Sequence, residues 1–141
     1  MEDKKNFYIN GEWVSPLEPR SFQVINPATE ESCAEISLGG KKDVDAAVSS
    51  AKKAFDSWSF TSREERLALF EKLYEIYKKN WDNMAKTISL EMGAPIDFST
   101  QLQTGTGASH IKSFKNILKN FQFERTLNEE KNQTILYEPK G

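Results

Sequence analysis

Residues 39–58 read Gly39-Gly40-Lys41-Lys42-Asp43-Val44-Asp45-Ala46-Ala47-Val48-Ser49-Ser50-Ala51-Lys52-Lys53-Ala54-Phe55-Asp56-Ser57-Trp58, and the chain changes character inside them. Val44, Val48, Ala51, Phe55 and Trp58 recur at intervals of four and three, which puts them on one face of an amphipathic helix. Asp43 and Asp45 stand at its start, where carboxylates meet unpaired backbone N–H groups. Before Gly39 the period is two. Phe7-Tyr8-Ile9 and Glu12-Trp13-Val14 flank Asn10-Gly11, a pair that suits the positive φ angles of a type I′ turn. Phe22 to Ile25 forms a second extended run, ended at Asn26-Pro27 because proline fixes its own φ and donates nothing to a ladder. Glu31 to Leu38 returns as a further strand. The strands therefore lie within residues 7–38.

After Trp58 the helical period persists. Thr61 or Ser62 caps the next helix, with Glu64 or Glu65 three residues on completing a capping box. Leu67, Phe70, Leu73, Tyr74, Tyr77, Trp81, Met84 and Ile88 form its expected buried stripe. An unbroken helix to Glu91 is long for a globular protein, so a break is expected between Asn80 and Asp82. Gly93 ends that segment, and Pro95 opens the next, where a missing N–H costs nothing. Leu102, Ile111, Phe114, Leu118 and Phe121 mark a third helix, so helices fill residues 43–121. Gly105 and Gly107 weaken its intrinsic propensity and admit either a close neighbour or a local bend. Phe123 to Leu127 and Thr134 to Tyr137 alternate again around the polar tip Asn128-Glu129-Glu130-Lys131-Asn132, which predicts a hairpin.

Composition narrows the function classes. The 141 residues suffice for one domain, and 38% hydrophobic with 28% charged residues is a globular balance. Nineteen basic against twenty-one acidic residues offers no electrostatic reason to expect nucleic acid or an anionic membrane as partner. No apolar run approaches the length of a membrane span, and Met1-Glu2-Asp3-Lys4-Lys5 does not begin a signal peptide. The single cysteine, Cys33, excludes an intrachain disulfide and agrees with a reducing, cytoplasmic setting.

Chemistry-bearing motifs are sparse. There is no G-x-G-x-x-G fingerprint, phosphate loop or nucleophile elbow, and His110 is the only histidine, so no His-based triad or His-rich metal site can be assembled here. Cys33 reads as an ordinary small strand residue and His110 as a structural or surface imidazole. The pairs Glu64-Glu65 and Glu129-Glu130 suit a helix first turn and a solvated loop. Lys41-Lys42, Lys52-Lys53 and Lys78-Lys79 lack interleaved aromatic platforms and read as polar helix faces. Glu91 is the acid that stands out, since it lies at a helix C-terminus, where the dipole disfavours negative charge and a cation would relieve it.

Six landmarks in order carry a resemblance. They are Tyr8-Ile9-Asn10-Gly11-Glu12-Trp13; Val24-Ile25-Asn26-Pro27-Ala28-Thr29; Asp43 to Phe55 with Trp58; Arg63, Arg66 and Leu67; Glu91-Met92-Gly93-Ala94-Pro95; and Glu138-Pro139-x-Gly141. Together they resemble the N-terminal third of an NAD(P)-dependent aldehyde dehydrogenase. The resemblance implies an α/β chain: residues 1–122 as the first part of a Rossmann-type cofactor domain, and 123–138 as a bridging hairpin of the oligomerisation region. It also implies a parent enzyme that oxidises an aldehyde with NAD or NADP through a cysteine thioester, assembled as a homodimer or homotetramer. The nucleophile, the general base and the oxyanion-holding asparagine would lie beyond Gly141, so no catalytic or cofactor-binding residue is expected here. Some family members hold a monovalent cation with two backbone carbonyls and a helix-end carboxylate, which correspond to Val24, Ile25 and Glu91. A parent acting on an acyl phosphate or semialdehyde, and a self-contained binding or scaffolding module, are the competing expectations.

Overall fold

A computed structural model describes residues 4–128 and 130–140. Glu129 of the acidic loop pair, the first three residues and Gly141 of the last landmark lie outside the described residues. The chain is α/β. Strands β1 (Phe7–Ile9) and β2 (Glu12–Val14) pair antiparallel, as do β3 (Ser21–Asn26) with β4 (Glu31–Ser37). Helices α1 (Lys41–Trp58), α2 (Arg63–Lys79) and α3 (Trp81–Met92) follow. A short turn of helix, α4 (Ile96–Phe98), runs through a π turn at Ser99–Gln103 into α5 (Thr104–Asn120). The hairpin of β5 (Glu124–Asn128) and β6 (Gln133–Leu136) comes last.

Local chemistry accounts for most boundaries. Asn10 and Gly11 take φ of 56° and 82°, the two positive values that a type I′ turn demands. Ser62 caps α2, accepting from the Glu65 N–H at 3.1 Å while the Glu65 carboxylate accepts from the Ser62 N–H at 2.7 Å. That closed capping box selects Ser62 and Glu65 from the expected alternatives. The expected break falls at Asn80, between α2 and α3. Gly93 ends α3 in the left-handed region at φ 66°. Of the two glycines in the last long helix, Gly107 serves a close approach, since a Cβ there would lie 2.3 Å from the Tyr77 hydroxyl oxygen. Gly105 meets nothing within 4 Å and sits just after the π turn, so the close approach is made at Gly107 alone.

Two expectations need correction. The first helix begins at Lys41 rather than Asp43, because Gly40 takes the cap position and Asp43 turns back onto its N–H. The stripe drawn along α2 and α3 is not uniformly buried: Leu73 is 48% and Met84 38% exposed, whereas Ala85 is buried. Periodicity identifies one face of a helix and does not say whether a neighbour covers it.

The covering is incomplete throughout. Buried apolar side chains among the described residues reduce to Ala34, Ala85 and Ala108. Val44, Val48 and Trp58 of the α1 stripe stand in solvent, and so do Leu69, Leu73 and Ile76 of α2. The accessible surface is 10814 Å². A folded monomer of 16.1 kDa normally exposes roughly 7,400 Å², so roughly 3,400 Å² is in excess. No parallel sheet with helical crossovers is built from the described residues, only three two-stranded hairpins and one parallel bridge between Lys4 and Ile36.

Candidate functional site

Helix α3 packs on β3, and the three residues read from the sequence as a candidate cation site lie on these two elements, Val24 and Ile25 on β3 and Glu91 near the end of α3. The β3–β4 register shifts between Val24 and Ile25, a bulge that re-aims the backbone at those two positions. Beyond it Asn26 folds the chain back: its side-chain oxygen accepts from the Ala28 N–H at 2.9 Å, and its carbonyl accepts from Thr29 and Glu30 at 3.2 and 2.8 Å. The left-handed Gly93 lies against this turn, where an added Cβ would sit 3.0 Å from Pro27 Cγ. The end of α3 is locked from the other side by Ser89, whose hydroxyl donates to the Ala94 carbonyl at 2.7 Å.

Glu91 is exposed two residues before Gly93, and among the described residues its carboxylate has no hydrogen bond or ion pair. The Val24 carbonyl accepts from the Cys33 thiol at 3.4 Å, which engages one of its two lone pairs. The fold thus brings together the Asn-Pro turn and the helix end that carries Glu91. No cluster of three or more His, Cys, Asp or Glu side chains exists among the described residues, so a cation here would depend on main-chain oxygens.

Nothing in the described residues pairs a nucleophile with a base. Cys33 is half-buried in β4 and bonded to a carbonyl, while His110 lies exposed on α5. A cleft of about 290 Å³ lined by Ser59, Thr61, Arg63, Glu64, Arg66, Phe123 and Pro139 holds structural arginines instead. Arg63 donates to the Phe121 carbonyl and lies 5.3 Å from the Phe123 ring, tying α2 to the approach of the last hairpin. Arg66 donates to Thr61 Oγ1 at 2.7 Å and to the Trp58 carbonyl at 3.1 Å, fixing the α1–α2 corner. Among the described residues no glycine-rich turn joins a parallel strand to a helix.

The spacing missed one lock. Asp43 is 5% exposed, and its two oxygens accept from the Leu17 and Gly40 N–H groups, each at 2.8 Å. The Leu17 bond first, then the Gly40 bond, hold its carboxyl below the usual aspartate value of 3.8, aided by Arg20. The Arg20 guanidinium in turn donates to the Gly39 carbonyl at 2.7 Å. A signal was present in the fourth residue of a Gly-Lys-Lys-Asp capping pattern, but the partner at Leu17 is remote in sequence. A depressed folded-state pKa means that Asp43 contributes stability above its unfolded value, lost as pH falls through the lower folded value. Acid titration below about pH 3.8 should therefore release the 15–20 loop, and Asp43→Asn should flatten that part of the pH–stability curve. Equal acid sensitivity in both proteins would remove Asp43 from the account.

The geometry can be set beside known proteins. The model of the aldehyde dehydrogenase family matches residues 13–141. The chain belongs to that family. A 3-succinoylsemialdehyde-pyridine dehydrogenase from a Pseudomonas species is 41% identical over 142 aligned positions, covering 100% of this chain and 29% of the relative. The crystal structure of an aldehyde dehydrogenase from Bartonella henselae superposes with a TM-score of 0.88 at 53% identity, over 92% of this chain and 27% of that one. A Pseudomonas syringae aldehyde dehydrogenase, crystallised with NAD+ and octanal, gives 0.84 at 38% identity over 88% and 26% of the respective chains. The chain therefore spans little more than a quarter of the length of these relatives.

Proposed function

We propose that this chain is the N-terminal structural portion of an NAD(P)-dependent aldehyde dehydrogenase, and that the parent polypeptide oxidises an aldehyde to a carboxylic acid. The observation that carries the reading is the continuous match over residues 13–141, confined to about a quarter of each relative. The excess accessible surface and the exposed large apolar side chains on the helices agree with it, since helix faces of this kind are covered in a larger fold. When bound, the nicotinamide would accept hydride from the substrate. The residues present would serve the reaction only as scaffold, with α1 to α5 supporting a cofactor domain and residues 123–138 forming the bridging hairpin of an oligomer. Exposed Leu127 and Leu136 on that hairpin suit such a role. The Val24 and Ile25 carbonyls with the Glu91 carboxylate would hold a monovalent cation.

The test is NAD+ or NADP+ reduction by the natural, full-length gene product with octanal and with a semialdehyde, alongside its intact mass. Turnover is expected from a product several times larger than 16.1 kDa, with none from the 141-residue chain and no loss on Cys33→Ser. An intact product of 16.1 kDa that sediments as a cooperatively folded monomer would overturn the reading, as would turnover abolished by Cys33→Ser. For the cation, potassium or sodium at a hundredfold excess over Kd should stabilise the parent by about 2.7 kcal/mol, and Glu91→Gln should remove that response. A response untouched by Glu91→Gln places the cation elsewhere.

A further inference from the structure

The helix from Ile96 to Asn120 contains one residue more than an α-helix needs between Ser99 and Thr104. The hydroxyls of Thr100 and Thr106 donate to the carbonyl four residues back, Ile96 and Leu102, each at 2.8 Å. That is the ordinary helical pattern for threonine. Thr104 makes the same bond to the carbonyl five residues back, Ser99, at 2.9 Å, and its N–H reaches the same oxygen. Ser99 and Thr104 are completely buried, whereas Gln101 and Leu102 between them bulge into solvent.

Two donors from outside the helix grip this turn. Trp81 Nε1 donates to the Thr100 carbonyl and the Tyr77 hydroxyl to the Thr104 carbonyl, both at 3.0 Å. A π turn leaves carbonyls poorly served by the helix itself, and side-chain donors satisfy them. Tyr77 reaches its acceptor only because Gly107 has no Cβ.

We propose that the Ser99–Gln103 turn is a register device: a surplus residue, held out by Trp81 and Tyr77, sets the rotation of α5 on α2. Without it, each residue after Thr104 would be turned by about 100°, and the α5 face that packs on α2 would be replaced by another. The device couples α2 and α3 to α5 through two hydrogen bonds.

Hydrogen exchange of the 96–120 segment in the full chain tests it, using Tyr77→Phe, Trp81→Phe and deletion of Gln101. In the natural sequence each substitution should raise local opening about 5-fold, the loss expected of one hydrogen bond. Deleting Gln101 makes Thr104 the fourth residue after Ser99 and turns the packed face of α5 away from α2, so protection of residues 104–120 should fall. In that background Tyr77→Phe and Trp81→Phe should have little effect, a non-additivity that ordinary tertiary bonds do not produce. Gly107→Ala should behave like Tyr77→Phe. Equal effects with and without Gln101, or unchanged protection of residues 104–120 on deleting Gln101, would overturn the proposal.

Discussion

Gly93→Val is expected to destabilise the folded chain by about 2–4 kcal/mol, a large effect for a residue on the surface of a turn. A non-glycine residue in the left-handed region costs about 1–2 kcal/mol, and a β-branched one is a worse fit there. The added Cβ would also press on Pro27 at 3.0 Å, closer than an ordinary carbon contact. Overpacking of that kind costs about 1–3 kcal/mol where the neighbour cannot give, and Pro27 is held between Asn26 and the Ala28 N–H. Urea unfolding of the variant measures the sum. Gly93→Asn separates the two causes, because asparagine tolerates positive φ and leaves mainly the contact with Pro27. A valine variant within about 0.5 kcal/mol of the parent would mean that the end of α3 does not bear on the Asn-Pro turn. The shared geometry proposed for Val24, Ile25 and Glu91 would then lose its support.

Trp81→Ala is the second large effect, expected at about 3 kcal/mol, the lower end of the range for removing a buried aromatic. Trp81 is only partly buried, but it meets Tyr77 edge to face at 6.1 Å and donates to the Thr100 carbonyl. Removing the ring takes away the packing, the aromatic pair and the donor together. Trp81→Phe keeps most of the packing and should cost about 1 kcal/mol, the value of one hydrogen bond. Thermal or urea midpoints of the two variants distinguish these contributions. Equal losses for alanine and phenylalanine would assign the whole effect to the hydrogen bond.

The elements of this chain were readable because each rests on short-range chemistry. Asn10-Gly11 selects its hairpin, Ser62 with Glu65 starts α2, and Gly93 stops α3, all through interactions within four residues. The last hairpin was legible from its alternating strands and polar tip, and the Asn80 break from the excessive length of an unbroken helix. The π turn was not, since residues 96–120 keep a helical pattern and nothing local announces a surplus residue. The donors that grip it, Tyr77 and Trp81, lie 27 and 19 residues before their acceptors. Asp43 is a similar case, legible as a helix-start carboxylate but not as the acceptor for Leu17. Of the candidate cation site, Glu91 at a helix end could be noted from spacing, whereas Val24 and Ile25 would act through backbone oxygens that any side chain could accompany.

By itself the order of residues determined the six strands, the principal helices and the resemblance of the whole series to one enzyme family. Only the tertiary structure decided which apolar stripes find a neighbour, and it left Val44, Val48, Leu69 and Leu73 uncovered. Periodicity is a property of one helix, and burial belongs to at least two elements, so the first can be read along a chain and the second cannot. The tertiary structure also brought Gly93 to Pro27 and Tyr77 to Thr104. Those contacts join residues 66 and 27 positions apart, and they form only when the elements carrying them have already packed.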